Sequence, residues 1–231
     1  MKKRNLPNLY KNQQQNWFIH ELWQFCLYEL DELIDSSNME VNHWNLLCSI
    51  IQEKYFHFDA FIILHGTNTM AYTASALSFM IKNLSKPIIL TGSMVPLSST
   101  TESSDAISNL EGSILVANSQ PKIPEVGIFM DGVFLRGNRT IKVSNRIQRP
   151  FKSPKCHPLV FRRLDGTMEY HLEHMMNHDT FLSTEFWFLD SQIAKCIGII
   201  HLFPLISISQ IKAQLEDTNL KGVVIVGYGD G

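Results

Sequence analysis

From Val41 onward the apolar positions fall at helical spacing: Trp44, Leu47, Cys48, Ile51 and Tyr55 stand at i, i+3, i+4, i+7 and i+11. Ahead of them, Ser37-Asn38-Met39-Glu40 has the S-x-x-E form of a capping box and predicts a helix start. The period then changes. Phe61-Ile62-Ile63-Leu64 is a continuous apolar run of the kind buried on both faces of a parallel sheet. Gly66 and Thr67 turn the chain, and small residues predict a helix from about Thr69 to Leu84. Pro87-Ile88-Ile89-Leu90 reads as the next buried strand, ended by Thr91-Gly92-Ser93. A helix from about Ser104 to Ala117 would carry Ile107, Leu110 and Ile114 along one face, and Val126-Gly127-Ile128-Phe129 gives a further strand. Strands alternating with helices imply right-handed crossovers. The expected class is α/β, an open parallel doubly wound sheet with helices on both faces.

The pattern weakens beyond Lys142. Residues 145–190 mix Pro, Arg, His and Asp without a period and read as irregular or linking. Cys196 to Leu202 and Val223 to Val226 read again as short buried strands, with a helix near Ser209 to Leu215 between them. The organisation expected is a polar, disordered arm over 1–16, an α/β domain over 17–190, and the opening of a smaller, incomplete α/β domain over 191–231. The cations Lys2, Lys3, Arg4 and Lys11 of the arm are read as a solvated tail, since no basic stripe continues them.

Composition narrows the class. Of 231 residues, 45% are hydrophobic and 18% charged, and Lys+Arg 20 against Asp+Glu 22 leaves a net charge of −2. Such a chain can bury a sizeable core and has no bulk charge for nucleic acid. Cys26, Cys48, Cys156 and Cys196 form no CxxC pair, so a disulfide framework or zinc knuckle is not expected and a reducing compartment fits. No apolar h-region follows MKKRNLPNLY, so no secretory signal is expected and the location expected is cytoplasmic. Ala60 to Ile81 holds no charged residue and could span a bilayer on count alone. The polar His65-Gly66-Thr67-Asn68-Thr69 in its middle would be costly in lipid, which favours strand, turn and helix over a membrane span.

In open α/β sheets, ligands bind beyond the carboxyl ends of the strands. Three polar loops meet that condition: Asp35-Ser36-Ser37, His65-Gly66-Thr67-Asn68-Thr69 and Thr91-Gly92-Ser93. Free amides at helix starts favour a carboxylate or phosphate there, and hydroxyls can act as nucleophiles. By spacing alone these Ser and Thr residues read equally as ordinary caps.

Four stretches carry more. LIDSSNM (33–39), FIILHGTNTMAYTASALSFM (61–80), KPIILTGSMVPL (86–97) and LRGNRTIKVS (135–144) resemble, in order, motifs of the bacterial-type L-asparaginases, with the cytoplasmic type I branch nearest. The resemblance implies hydrolysis of the side-chain amide of L-asparagine through an acyl-enzyme on a threonine, with a small-molecule substrate and neither cofactor nor metal. It implies that Asp35, Ser36 and Ser37 hold the substrate's α-carboxylate and α-amino groups. Thr67 is implied as the second catalytic threonine, Lys142 as the lysine that pairs with a catalytic aspartate, and Ser93 as a binding residue in the TGS loop. Association into homo-oligomers is implied as well. A threonine hydroxyl needs a neighbouring base, which a Lys142 pair beside Thr67 could supply.

Two departures lead to an expectation of impaired activity. No TGGTI-type turn, where the family carries its primary nucleophile, precedes Asp35, so the first strand is expected to be missing; and HGTDTM reads HGTNTM, putting Asn68 where the aspartate stands. Met94 after Thr91-Gly92-Ser93 is a milder change from Gln. A non-catalytic ligand-binding or interaction module, or a truncated gene product, is the competing reading, and a lysophospholipase a distant third. His171, His174 and His178 at i, i+3 and i+7 would share one helical face, compatible with a borderline metal, though an exposed polar segment is the preferred reading. His65 is read as ordering the strand-end turn rather than as a base, and Arg136 and Arg139 as surface partners of acids.

Overall fold

The computed structural model describes residues 24–99, 103–146, 149–176, 187–188 and 196–229. The arm at 1–16 and His178 lie outside them. In chain order the elements are α1 (Val41–Lys54), β1 (Phe61–Leu64), α2 (Met70–Met80), β2 (Ile81–Lys82), β3 (Ile88–Thr91), α3 (Ala106–Ala117), β4 (Val126–Met130) and β5 (Val133–Arg136). There follow β6 (Ile141–Lys142), β7 (Phe151–Lys152), β8 (Val160–Arg162), β9 (Met168–Tyr170), β10 (Trp187–Phe188), β11 (Ile197–His201), α4 (Ile208–Leu215) and β12 (Gly222–Val226).

The α/β architecture is as expected, but the sheet is mixed. Its order is β1-β3-β4-β5-β8-β9, parallel from β1 to β4 and antiparallel from there on. The switch is made at Asp131-Gly132, where both residues take positive φ (50° and 72°) and Met130 pairs with Val133. A two-residue turn with left-handed backbone at both positions matches strand twist, and Asp-Gly is its favoured sequence. The segment 145–190 is therefore not merely linking: β8 and β9 within it extend the main sheet.

Side chains alternate across β3 and divide the core. Ile88 and Leu90 join Cys48, Ile51, Met70, Leu77 and Ile128 under α1 and α2, while Ile89 packs with Val116, Ile123, Phe129, Phe134, Leu159 and Val160 on the other face. β1, expected to be buried on both faces, is half-buried, and Leu64 is exposed, because among the described residues β1 is the sheet's edge. α2 stops at Met80 rather than Leu84; Ile81 is extended and pairs with β10. In α3 the buried face is Asn109, Gly112, Ser113 and Val116, and the aligned Ile107, Leu110 and Ile114 are only half-buried.

β11 and β12 pair in parallel with α4 between them. The expectation that these strands are buried fails, since Ile199 and Val224 are exposed. Among the described residues, no helix is long and apolar enough to cross a membrane.

Candidate functional site

The three polar loops meet at the carboxyl ends of β1 and β3. Ser36–Asn38 forms a short 3-10 turn, with Asp35 accepting the Ser37 N–H at 2.8 Å. The expected Ser37–Glu40 box is not what starts α1. Glu40 is the cap, its N–H donating to His43 Nδ1, and Ser37 is left free to accept from Asn68 Nδ2 at 3.0 Å.

Lys142 closes the cluster from β6, which a 3-10 turn at Gly137–Arg139 links to β5. Its Nζ donates to Thr67 Oγ1 at 2.9 Å and to Asn68 Oδ1 at 3.1 Å. The amide of Asn68 thus spans Lys142 and Ser37, accepting from one and donating to the other. Partial burial pulls the Lys142 pKa below its ordinary value, towards the neutral amine.

Close approach of neighbouring loops sets these positions. A methyl on Gly66 would lie 2.5 Å from Ser36 Oγ, and one on Gly92 would lie 2.2 Å from the His65 carbonyl oxygen. Both turns therefore need glycine. Thr69 Oγ1 donates to the carbonyl of the buried Ser36 and ties the first loop to the second.

The protons of His65, at the end of β1, are assigned by its partners. Nδ1 faces the Gly66 carbonyl at 2.6 Å and must donate, so Nε2 accepts from Thr73 Oγ1 at 2.9 Å. Thr73 in turn accepts from the Trp44 indole at 3.0 Å. Burial lowers the His65 pKa, partly opposed by the Gly66 carbonyl, and the neutral ring is favoured. The ring orders the turn, as the sequence suggested.

Ser93 is held differently. It lines a cleft of about 460 Å³ with His65, Gly66, Thr91, Leu64, Leu97 and Ile107, alongside the Lys142 cluster rather than within it. The loop around it is set by Asp105, which accepts from the N–H groups of Met94 and Val95, and by buried Asn109, which donates to the Gly92 carbonyl. Sequence reasoning missed both. Asp105 is the N-cap residue of α3, but its carboxylate turns back to the loop. Arg136 is also corrected: its acid partner Glu125 is buried in the fold, not at the surface, and Arg139 is exposed.

Residues 4–175 match the family model described as Asparaginase, N-terminal. The chain belongs to the asparaginase family. It is 35% identical over 209 residues to an L-asparaginase of Dirofilaria immitis, covering 90% of this chain and 34% of that one. It is 36% identical over 207 residues to a 60 kDa lysophospholipase of Mus musculus, covering 90% and 35%. The crystal structure of L-asparaginase I from Vibrio cholerae superposes with a TM-score of 0.79 at 36% identity, covering 89% of this chain and 60% of that one. The chain thus spans about a third of the curated relatives named and 60% of the solved one.

Proposed function

We propose that this chain is an asparaginase-type amidohydrolase module, with a site that takes L-asparagine or a close amino-acid amide and hydrolyses it slowly. One observation carries the reading: Lys142 Nζ donates to both Thr67 Oγ1 and Asn68 Oδ1. That places a lysine of lowered pKa on a threonine hydroxyl beside a loop suited to an amino acid's charged groups.

In this reading Asp35 takes the α-ammonium, and the Ser36-Ser37 turn takes the α-carboxylate. Lys142, in its deprotonated form, accepts the Thr67 proton as Oγ1 adds to the amide carbon. The same proton then leaves on the departing ammonia. Water hydrolyses the resulting ester, returning the threonine hydroxyl and a carboxylic acid. No cofactor or metal enters these steps. Turnover is slow because the 231 residues hold no TGGTI turn to supply a primary nucleophile. Asn68 favours a second reading, a site that binds the amino acid without turning it over.

Ammonia release from L-asparagine, with calorimetric binding of L-aspartate alongside, separates them. We expect weak release that Thr67→Ala abolishes, and binding that Asp35→Ala removes. Binding without release in the unmodified chain would select the second reading. Neither binding nor release would overturn the site itself.

A further inference from the structure

At the opposite edge of the main sheet from β1, the chain leaves β9 and folds into a 3-10 turn, Leu172–His174. The helical face expected for His171 and His174 does not form. The turn instead brings their rings onto one carboxylate: Glu173 Oε1 lies 3.3 Å from His171 Nδ1 and 3.6 Å from His174 Nε2. All three ligand atoms lie within 4.8 Å of one another. We propose that His171, Glu173 and His174 bind a divalent transition ion of the zinc class, separate from the site of amide hydrolysis.

The spacing fits that chemistry. Ligand atoms about 2.0–2.2 Å from a tetrahedral zinc lie roughly 3.4 Å from one another, close to both carboxylate–imidazole separations. The remaining pair of nitrogens lies within 4.8 Å and closes by rotation of the partly exposed His171 ring. Two imidazoles and a carboxylate suit zinc, nickel or copper rather than calcium or magnesium. Three protein ligands leave a coordination position for water.

The backbone under the ligands is already fixed, which lowers the cost of assembling them. The His171 N–H donates to the Leu159 carbonyl at 2.9 Å, and the His174 carbonyl accepts from Arg136 Nη2 at 2.6 Å. Met176 N–H donates to Glu125 Oε1 at 2.9 Å, so the far end of the turn hangs on the Arg136–Glu125 pair while Leu159 holds its start. His157 stacks on His174 with ring centroids 4.8 Å apart and planes 14° apart, fixing that ring's orientation. Outer contacts of this kind tune metal affinity.

The test uses the whole chain, prepared without an affinity tag that itself binds metal. Zinc is titrated by calorimetry and by competition with a chromogenic chelator, and cobalt(II) replaces zinc for its visible spectrum. The expected result is one ion per chain, with the intense d–d bands of a tetrahedral site. His171→Ala, Glu173→Gln and His174→Ala should each weaken zinc by more than the about 10–100-fold that losing an outer-shell partner costs. His43→Ala and His201→Ala should leave it unchanged. These ligands are partly exposed, and circular dichroism checks that each variant folds. No saturable uptake by the unmodified chain, or uptake untouched by either histidine variant, would overturn the proposal. Unchanged affinity in Glu173→Gln would overturn the three-ligand site.

Discussion

Asn68 is the residue on which the chemistry turns. A carboxylate in its place would sit about 3 Å from Lys142 Nζ and hold the amine in its charged form, opposing the desolvation that now lowers its pKa. An ammonium donates to Thr67 but cannot take its proton. Asn68→Asp should therefore move the Lys142 titration to higher pH, readable from the Lys Cε chemical shift, and should raise neutral-pH ammonia release little. A gain of about tenfold, worth about 1.4 kcal/mol in the barrier, would count against this view. The pair was legible in the sequence only because HGTNTM and RGNRTIK are motifs. Spacing could not bring Lys142 and Asn68 together, since they lie 74 positions apart.

Between elements, the Trp44–Thr73–His65 chain joins α1, α2 and the end of β1. It fits one protonation state, because Nδ1 must donate to Gly66 and Nε2 must accept from Thr73. The unfolded chain takes up a proton near the ordinary value of 6.5, whereas the folded chain resists to lower pH. Stability is then complete above about 6.5 and is lost as pH falls from there towards the depressed folded value. Urea midpoints between about pH 7.5 and 5 should show this loss, and it should shrink in His65→Gln. An equal acid loss in that variant would place the titrating group elsewhere. Single periods were enough to read α1, β3 and α3, where apolar residues repeat locally. They could not give β8 and β9, each only three residues long and paired across distant sequence. Asp131-Gly132 was the readable sign that the sheet turns antiparallel. The burial error at β1 came from its place at the edge, which no local pattern records.

For the whole molecule, the two ends of the fold differ in how much apolar surface they leave in water. In the register of β11 and β12, Ile199 and Val224 are neighbours on one face, 60% and 52% exposed, and Ile208 of α4 is exposed too. Among the described residues, β1 adds a short edge without charge to deter another chain. In concentrated solution these surfaces should act as weak mutual adhesives, giving a negative second virial coefficient and static light scattering that climbs faster than protein mass. Ile199→Lys with Val224→Glu places opposite charges side by side on that face and should bring the coefficient back towards zero. If the two curves coincide, β11 and β12 are not the adhesive surface. In practical terms, concentration would then govern how this protein is handled, because attraction between exposed apolar faces grows with it.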